Sequence, residues 1–369
     1  AESLVRERTG LVLDPYFSAT KIEWLLANVE GAERAKFGTI DSWLVHKLCG
    51  EHVTDLTNAS RTMLFNIGNL AWDPELCAMF GVDPASLPDV RPSAHVFGVT
   101  SEFGGEVPVT GIAGDQHAAL FGQACLEPGM GKNTYGTGSF VLLNAGGDSP
   151  TPRDGLLSTV AWGIGDEVTY ALEASIFVTG SAVQWLRDGL GIIERAEETE
   201  PLAASLDSND GVYFVPALTG LGSPWWDPYA RGTMVGLTRG TGRAHLARAA
   251  LEAIGYQTAD AVAAQEKSSG HRLERLRVDG GAVANRWLMQ FQADLLGVPV
   301  EVPEIPETTA FGAGLLAGIG SGFWTEDDVS RLWRSSHTFE PRMDRDEAES
   351  LLVEWHRAVE RSRGWAAPL

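Results

Sequence analysis

The chain has 369 residues, of which 44% are hydrophobic and 21% charged. This globular composition excludes a disordered or fibrous protein. Asp and Glu number 49 against 28 Lys and Arg, giving a net charge of −21. Such an acidic surface repels phosphate backbones and anionic lipids, so neither nucleic acid nor a membrane is expected as a partner. Small anionic ligands stay compatible with it, because backbone N–H groups bind phosphate without net positive charge.

Cysteine and histidine spacing gives no sign of a metal site. Cys49, Cys77 and Cys125 form no CxxC pair, so we expect reduced thiols rather than disulfides or zinc ligands. The eight histidines show no metal-binding spacing, and no metal-ligating residue is predicted. The charged start of the chain lacks the apolar core of a signal peptide, and no apolar stretch is long enough to span a bilayer. We therefore expect a cytoplasmic protein.

Helix and strand signals alternate along the chain, which predicts an α/β fold. A helix is predicted over 21–29, and a short buried strand over 107–113 leads into Gly114-Asp115. The later predicted elements are a hairpin over 133–144, strands over 168–171 and 275–279, helices over 181–190, 245–265, 284–296 and 310–319, and a charged helical tail from 326 onward.

Three predicted strand ends are bordered by glycines and carry groups suited to phosphate chemistry. In residues 111–116 (GIAGDQ) an acid and an amide follow a buried strand, and the glycines let a substrate approach the backbone. Residues 133–139 (NTYGTGS) expose N–H groups beside a threonine hydroxyl. Residues 278–285 (VDGGAVAN) combine a glycine pair with a helix start, which favours phosphate. Each motif alone also fits an ordinary turn; together they favour a phosphate-handling enzyme.

Read together, these motifs make the chain resemble the FGGY carbohydrate kinases. The matching runs are 14–21 (DPYFSATK), 55–66 (DLTNASRTMLFN), 111–116, 135–138 (YGTG), 219–224 (TGLGSP), 226–232 (WDPYARG), 232–252 and 278–285. The first two runs favour the members that phosphorylate glycerol over those acting on xylulose or gluconate.

The resemblance implies an actin/hexokinase-like (ribonuclease H-like) fold of two domains, with ATP–Mg²⁺ and a polyol in the cleft between them. Residues 1–121 would be the remainder of the N-terminal, polyol-binding domain, 122–320 the nucleotide-binding domain, and 321–369 a C-terminal helical tail. The family's upstream Asp-x-Gly-Thr hairpin and polyol-gripping Arg-Glu pair have no counterpart in the sequence. The first domain is therefore expected to be incomplete, and this chain alone is not expected to turn over glycerol.

Site residues follow from the same resemblance, position by position. Asp115 would be the base that takes the proton from a glycerol hydroxyl. Tyr16, Asp115 and Gln116 would hydrogen-bond glycerol, and Phe140 would pack on its carbon backbone. The residues implied to line the ADP/ATP site are Thr137, Gly180, Gln184, Gly281 and Asn285.

The implied activity is transfer of the γ-phosphoryl group of ATP to glycerol, giving sn-glycerol 3-phosphate and ADP, the first step of glycerol catabolism. ATP and Mg²⁺ are the implied cosubstrate and cofactor, and a homodimer or homotetramer is the expected assembly. Two alternatives stay open. The chain could be a non-catalytic fragment that binds nucleotide only, or another FGGY sugar or polyol kinase such as a xylulokinase.

Overall fold

The fold is given by a computed structural model in which residues 1–151 and 155–367 are described. The α-helices of this part of the chain are α1 (Glu2–Thr9), α2 (Ser18–Asn28), α3 (Ile40–Cys49), α4 (Leu56–Ala59), α5 (Pro74–Met79), α6 (Asp115–Gly122), α7 (Gly180–Gln184), α8 (Thr199–Ala204), α9 (Arg243–Ser269), α10 (Arg286–Leu296), α11 (Thr308–Gly320), α12 (Glu326–Leu332) and α13 (Arg345–Ser362). None of them is long and apolar enough to cross a membrane.

The strands of the same ranges form one large sheet and three two-stranded ones. They are β1 (Val53–Asp55), β2 (Phe65–Asn66), β3 (Ala71–Trp72), β4 (Asp89–Arg91), β5 (Ala94–Thr100), β6 (Val107–Gly111), β7 (Gly131–Tyr135), β8 (Ser139–Gly146), β9 (Leu157–Ile164), β10 (Glu167–Ile176), β11 (Tyr213–Val215), β12 (Thr233–Val235), β13 (Leu276–Gly280), β14 (Val300–Pro303) and β15 (Ser335–Phe339).

The large sheet has nine strands in the order β15-β14-β13-β7-β8-β10-β9-β5-β6. β7 lies in its middle, parallel to β13 on one side and antiparallel to β8 on the other. β5 and β6 form an antiparallel pair that joins the sheet through one residue pair, Ala94 with Ile164. The mixed sheet thus brings the end of β6, the β7–β8 hairpin and the end of β13 into one framework.

Helix α9 lies against the large sheet and is buried along most of its length. Its many alanines allow close packing, and Gly255 meets the ring of Phe291 on α10. α6 and α11 approach one another still more closely. A Cβ on Gly122 would lie 2.1 Å from the carbonyl oxygen of Thr308, and one on Gly312 would lie 1.8 Å from that of Ala118. These glycines fix α6 against α11, and α6 begins at Asp115.

Two predicted elements differ from the structure. The tail from 326 onward is not helical throughout, because β15 separates α12 from α13 and pairs antiparallel with β14. This short strand is set by pairing with a distant strand rather than by its local pattern. The predicted helix over 181–190 is α-helical only to Gln184 and continues as a π-turn over Trp185–Gly189. Residues 368–369 of the predicted tail lie outside the described residues.

Candidate active site

Asp115 is presented at the start of α6, four residues after the end of β6. Its side chain is exposed, and its Oδ1 accepts a hydrogen bond of 2.8 Å from the backbone N–H of Gln116. The last residue of β6 packs directly against α11, and this contact needs a glycine. A Cβ on Gly111 would lie 2.3 Å from the backbone nitrogen of Ala317 on α11. The structure thus has a glycine at the end of this strand, as predicted, and that glycine is needed for the packing of β6 against α11.

A cavity of about 660 Å³ opens beside Asp115, and it is called here the polyol-side cavity. All four residues predicted for the polyol line it: Tyr16, Asp115, Gln116 and Phe140. Tyr16 is 61% exposed and stands edge-on to Phe17, in a turn where Asp14 accepts the N–H of Tyr16. Phe140 comes from β8, on the far side of the β7–β8 turn. Residues up to 124 positions apart in the sequence thus line the same cavity.

The polyol-side cavity also contains an ion pair that the sequence did not single out. Arg61 donates to Glu173 at 2.8 Å, and the Glu173 side chain is only 1% exposed. The guanidinium also lies over the ring of Phe17, 5.4 Å from its centroid. Arg61 belongs to the TNASRT run and Glu173 to β10. No local pattern connects them, because they are 112 residues apart.

The loop before Asp115 is held by Asp55, which is fully buried. Its carboxylate accepts five hydrogen bonds, from the N–H groups of Thr57 and Asn58, their side chains, and the hydroxyl of Ser93. The Thr57 hydroxyl in turn accepts the N–H of Gly114 at 2.8 Å. Burial raises the pKa of Asp55 to about 6, against the lowering effect of these hydrogen bonds. The one signal in the sequence is that Asp55 is the first residue of the DLTNASRTMLFN run.

A second cavity, of about 380 Å³, is called here the nucleotide-side cavity. It is lined by all five residues predicted for the nucleotide: Thr137, Gly180, Gln184, Gly281 and Asn285. Thr137 stands in the β7–β8 turn, which closes on a bond from the N–H of Gly136 to the carbonyl of Gly138. The N–H of Gly180 donates to the Gly136 carbonyl at 3.0 Å. This close approach needs glycine, since a Cβ on Gly180 would lie 2.7 Å from that oxygen.

The opposite wall is the junction between β13 and α10. Gly280 has φ +91°, and a Cβ there would lie 2.2 Å from the carbonyl oxygen of Tyr135. Asn285 caps α10 by accepting the N–H of Leu288 at 2.9 Å, and its Nδ2 donates to Thr199. The remaining wall is largely apolar side chains, among them Leu251, Ile254 and Leu288. The Thr137 hydroxyl on one side and apolar side chains on the other suit a phosphorylated ligand with a flat ring.

The two cavities share the β7–β8 hairpin. Thr137 lines the nucleotide-side cavity and Phe140 the polyol-side cavity. Thr137 and Phe140 are three residues apart, so their Cα atoms are separated by at most about 10 Å. A group carried on a ligand in one cavity can therefore reach a ligand in the other over a short distance.

The described ranges contain no group of three or more His, Cys, Asp or Glu side chains placed to hold a metal ion. Mg²⁺ does not need one, because proteins usually hold it through one or two carboxylates together with substrate phosphates. Of the carboxylates lining the polyol-side cavity, Glu173 pairs with Arg61 and Asp41 accepts from Thr39 and Thr54. Asp115, which accepts only its neighbour's N–H, is left open to such an ion.

Fold and sites together define a two-substrate enzyme of the sugar-kinase type, and the chain belongs to the FGGY family of carbohydrate kinases. The N-terminal domain of that family matches residues 1–122 and its C-terminal domain matches residues 131–321. Glycerol kinase from Symbiobacterium thermophilum is 56% identical over 98% of this chain and 75% of its own length. Glycerol kinase 2 from Thermotoga maritima is 57% identical over the same shares.

Solved structures agree with this assignment. Glycerol kinase from Plasmodium falciparum, crystallised with ADP, superposes with a TM-score of 0.93 at 36% identity, over 98% of this chain and 75% of that one. Xylulose kinase from Rhodospirillum rubrum, at 24% identity and a TM-score of 0.86, shares the fold over 96% of this chain and 74% of that one. The predicted actin/hexokinase-like α/β fold is confirmed. The division of the chain near residue 122 stays a prediction.

Proposed function

We propose that this protein is an ATP-dependent glycerol kinase, which transfers the γ-phosphoryl group of ATP to glycerol to give sn-glycerol 3-phosphate and ADP. The observation that carries the proposal is the exposed carboxylate of Asp115 on the wall of a cavity that shares one hairpin with a second, nucleotide-sized cavity. The relatives named glycerol kinase support glycerol as the acceptor.

In the proposed reaction, Asp115 accepts the proton of a glycerol hydroxyl while that oxygen forms a bond to the γ-phosphorus. The bond between the γ-phosphorus and the bridging oxygen breaks, and the electron pair leaves with ADP. Tyr16 and Gln116 hydrogen-bond the polyol, and Phe140 packs on its carbons. A positioned general base typically contributes about 10²–10⁴ in rate. Most of the remaining acceleration in phosphoryl transfer comes from holding the two reactants in line.

On the nucleotide side, the turn at Thr137 and the backbone at Gly180 and Gly281 would receive the phosphates and ribose, while Gln184 and Asn285 would hydrogen-bond the nucleoside. Mg²⁺, when bound with ATP, neutralises charge on the phosphates, and Asp115 is the carboxylate open to it. The cytoplasmic location and the homodimer or homotetramer expected from the sequence stay predictions.

The test is Asp115→Asn in the enzyme with the family's upstream Asp-x-Gly-Thr segment restored, in an assay of glycerol-dependent ADP release, with ADP affinity measured by calorimetry. We expect a fall in kcat of about 10²–10⁴ with ADP affinity nearly unchanged. Asp166→Asn is the matched control, because Asp166 is exposed in the β9–β10 turn and lines neither cavity. A kcat for Asp115→Asn within threefold of wild type would remove Asp115 from the role of base.

The same assay separates the alternatives. A xylulokinase would release ADP faster with xylulose than with glycerol. A chain that binds nucleotide only would bind ADP in the calorimeter and release none in response to either polyol. Either outcome would contradict the proposal.

A further inference from the structure

A lysine without exposed surface lies behind the candidate active site. Lys132 is the second residue of β7 and is fully buried. Its Nζ donates to the side-chain oxygen of Gln116 and, at 2.8 Å, to the hydroxyl of Thr134. A buried ammonium is costly unless it is paired and hydrogen-bonded. The contact with Gln116 therefore needs an explanation, since an apolar residue in a central strand would avoid this cost.

The charges around Lys132 keep it protonated near neutral pH. Burial lowers its pKa to about 8, and the nearby carboxylates of Asp279, Glu173 and Asp115 oppose that effect. An ammonium has three donors and no acceptor. Its partner on Gln116 must therefore be the amide oxygen.

This contact fixes which end of the Gln116 amide faces the polyol-side cavity. Gln116 lines that cavity, and its Oε1 is taken by Lys132. Its Nε2 makes no hydrogen bond to any residue within 1–151 or 155–367, so both of its N–H groups are free for a ligand. The neighbouring Asp115 carboxylate is an acceptor only. Adjacent residues thus offer one acceptor and one donor.

We propose that Lys132 is a positioning residue that locks the Gln116 amide with its N–H groups toward the polyol. The matching ligand feature is a hydroxyl oxygen that accepts from Gln116, next to a hydroxyl hydrogen that Asp115 accepts. A vicinal diol supplies this pair on neighbouring carbons. The inference rests on the proposed function and deepens it, because it assigns the direction of one substrate hydrogen bond to a residue that never touches the substrate.

The competing explanation is that Lys132 only neutralises the buried carboxylates around it. In that case replacing Lys132 would lower the stability of the fold and weaken ligand binding in both cavities, whatever residue stands at position 116. The two explanations differ in whether the effect of Lys132 depends on Gln116. A double-mutant cycle measures that dependence.

The experiment uses the enzyme with the upstream segment restored and combines Lys132→Met with Gln116→Met. It measures kcat, the KM for glycerol at saturating ATP, and ADP affinity by calorimetry. We expect Lys132→Met to raise the KM for glycerol roughly three- to tenfold, the value of one oriented hydrogen bond. ADP affinity should stay within about twofold. In the Gln116→Met background, Lys132→Met should change the KM for glycerol by less than about twofold, because there is no amide left to orient.

Lys132→Gln is the second variant, in case the methionine variant does not fold. It is neutral, and its own amide can still bond Thr134 and either end of Gln116, so the orientation is lost while polar contacts remain. It should raise the KM for glycerol in the same way and lose its effect beside Gln116→Met. The inference would be overturned if the Lys132 substitution raised the KM for glycerol equally in both backgrounds, or if it lowered ADP affinity as much as it raised that KM. Either result would leave the kinase proposal intact. Absence of glycerol-dependent ADP release in the enzyme with the upstream segment restored and no substitution would instead overturn the proposed function.

Discussion

Asp55→Asn replaces a carboxylate that the fold hides from water completely. The asparagine oxygen can keep the bonds that Oδ1 accepts from Thr57 Oγ1 and from Asn58. Its NH₂ group, however, takes the place of Oδ2, which accepts from the N–H of Thr57 and the hydroxyl of Ser93. The hydroxyl can turn and become an acceptor, but the backbone N–H cannot. This mismatch should cost about 1–3 kcal/mol at every pH.

The pH-dependent part of the effect follows from the titration of Asp55. Burial raises its pKa from 3.8 to about 6 in the folded protein. A raised carboxyl pKa contributes stability that is fully present below the unfolded pKa and is lost as the pH rises through the folded pKa. A rise of about two pH units, at 1.36 kcal/mol each, corresponds to about 3 kcal/mol. Asparagine does not titrate, so this contribution exists only in the wild type.

Urea unfolding of both proteins from about pH 4 to pH 7 tests this reasoning. The free energy of unfolding of the wild type minus that of Asp55→Asn should fall by roughly 2–3 kcal/mol over this range. Other carboxylates cancel in the difference. A difference that grows with pH would refute the reasoning. It would mean that the five hydrogen bonds outweigh burial and lower the pKa of Asp55.

The parts of the site that the sequence predicted are those in which chemistry and backbone geometry lie within a few residues. Asp115 follows Gly114, where a Cβ would lie 2.8 Å from the His117 ring, and Thr137 precedes Gly138, where a Cβ would lie 2.2 Å from the carbonyl oxygen of Ile176. Such constraints leave a local signature. The resemblance then predicts a ligand for each glycine-bounded loop, and all nine predicted residues line one of two cavities.

The parts that could not be predicted depend on pairing between distant segments. Arg61 meets Glu173 across 112 residues, and the burial of Lys132 against Gln116 requires β7 to lie in the middle of the sheet. The local sequence around Lys132 gives no sign of its burial or of its contact with Gln116. The strand β15 was missed for the same reason, because it exists through its pairing with β14.

Two further predictions concern the packing that supports the cavities. His356 lies 2.6 Å from Asp260, and this hydrogen bond raises the pKa of the histidine. The pair therefore stabilises the fold fully below about pH 6.5, and this stabilisation is lost as the pH rises through the pKa of the histidine in the folded protein. The deficit in Tm of His356→Gln should shrink as the pH rises from about 6 to 9, and a deficit that widens would contradict this. Gly280→Ala forces a side chain into a backbone with φ +91°, 2.2 Å from the Tyr135 carbonyl, beside the Gly281 wall of the nucleotide-side cavity. The strain of about 1–3 kcal/mol, relieved only by moving β13 away from β7, should lower Tm and weaken ADP binding by roughly tenfold or more. Gly314→Ala is the control, because a Cβ there meets open space on α11 and alanine favours a helix. If the ADP affinity of Gly280→Ala is within twofold of that of this control, the junction of β13 and α10 does not shape the nucleotide site.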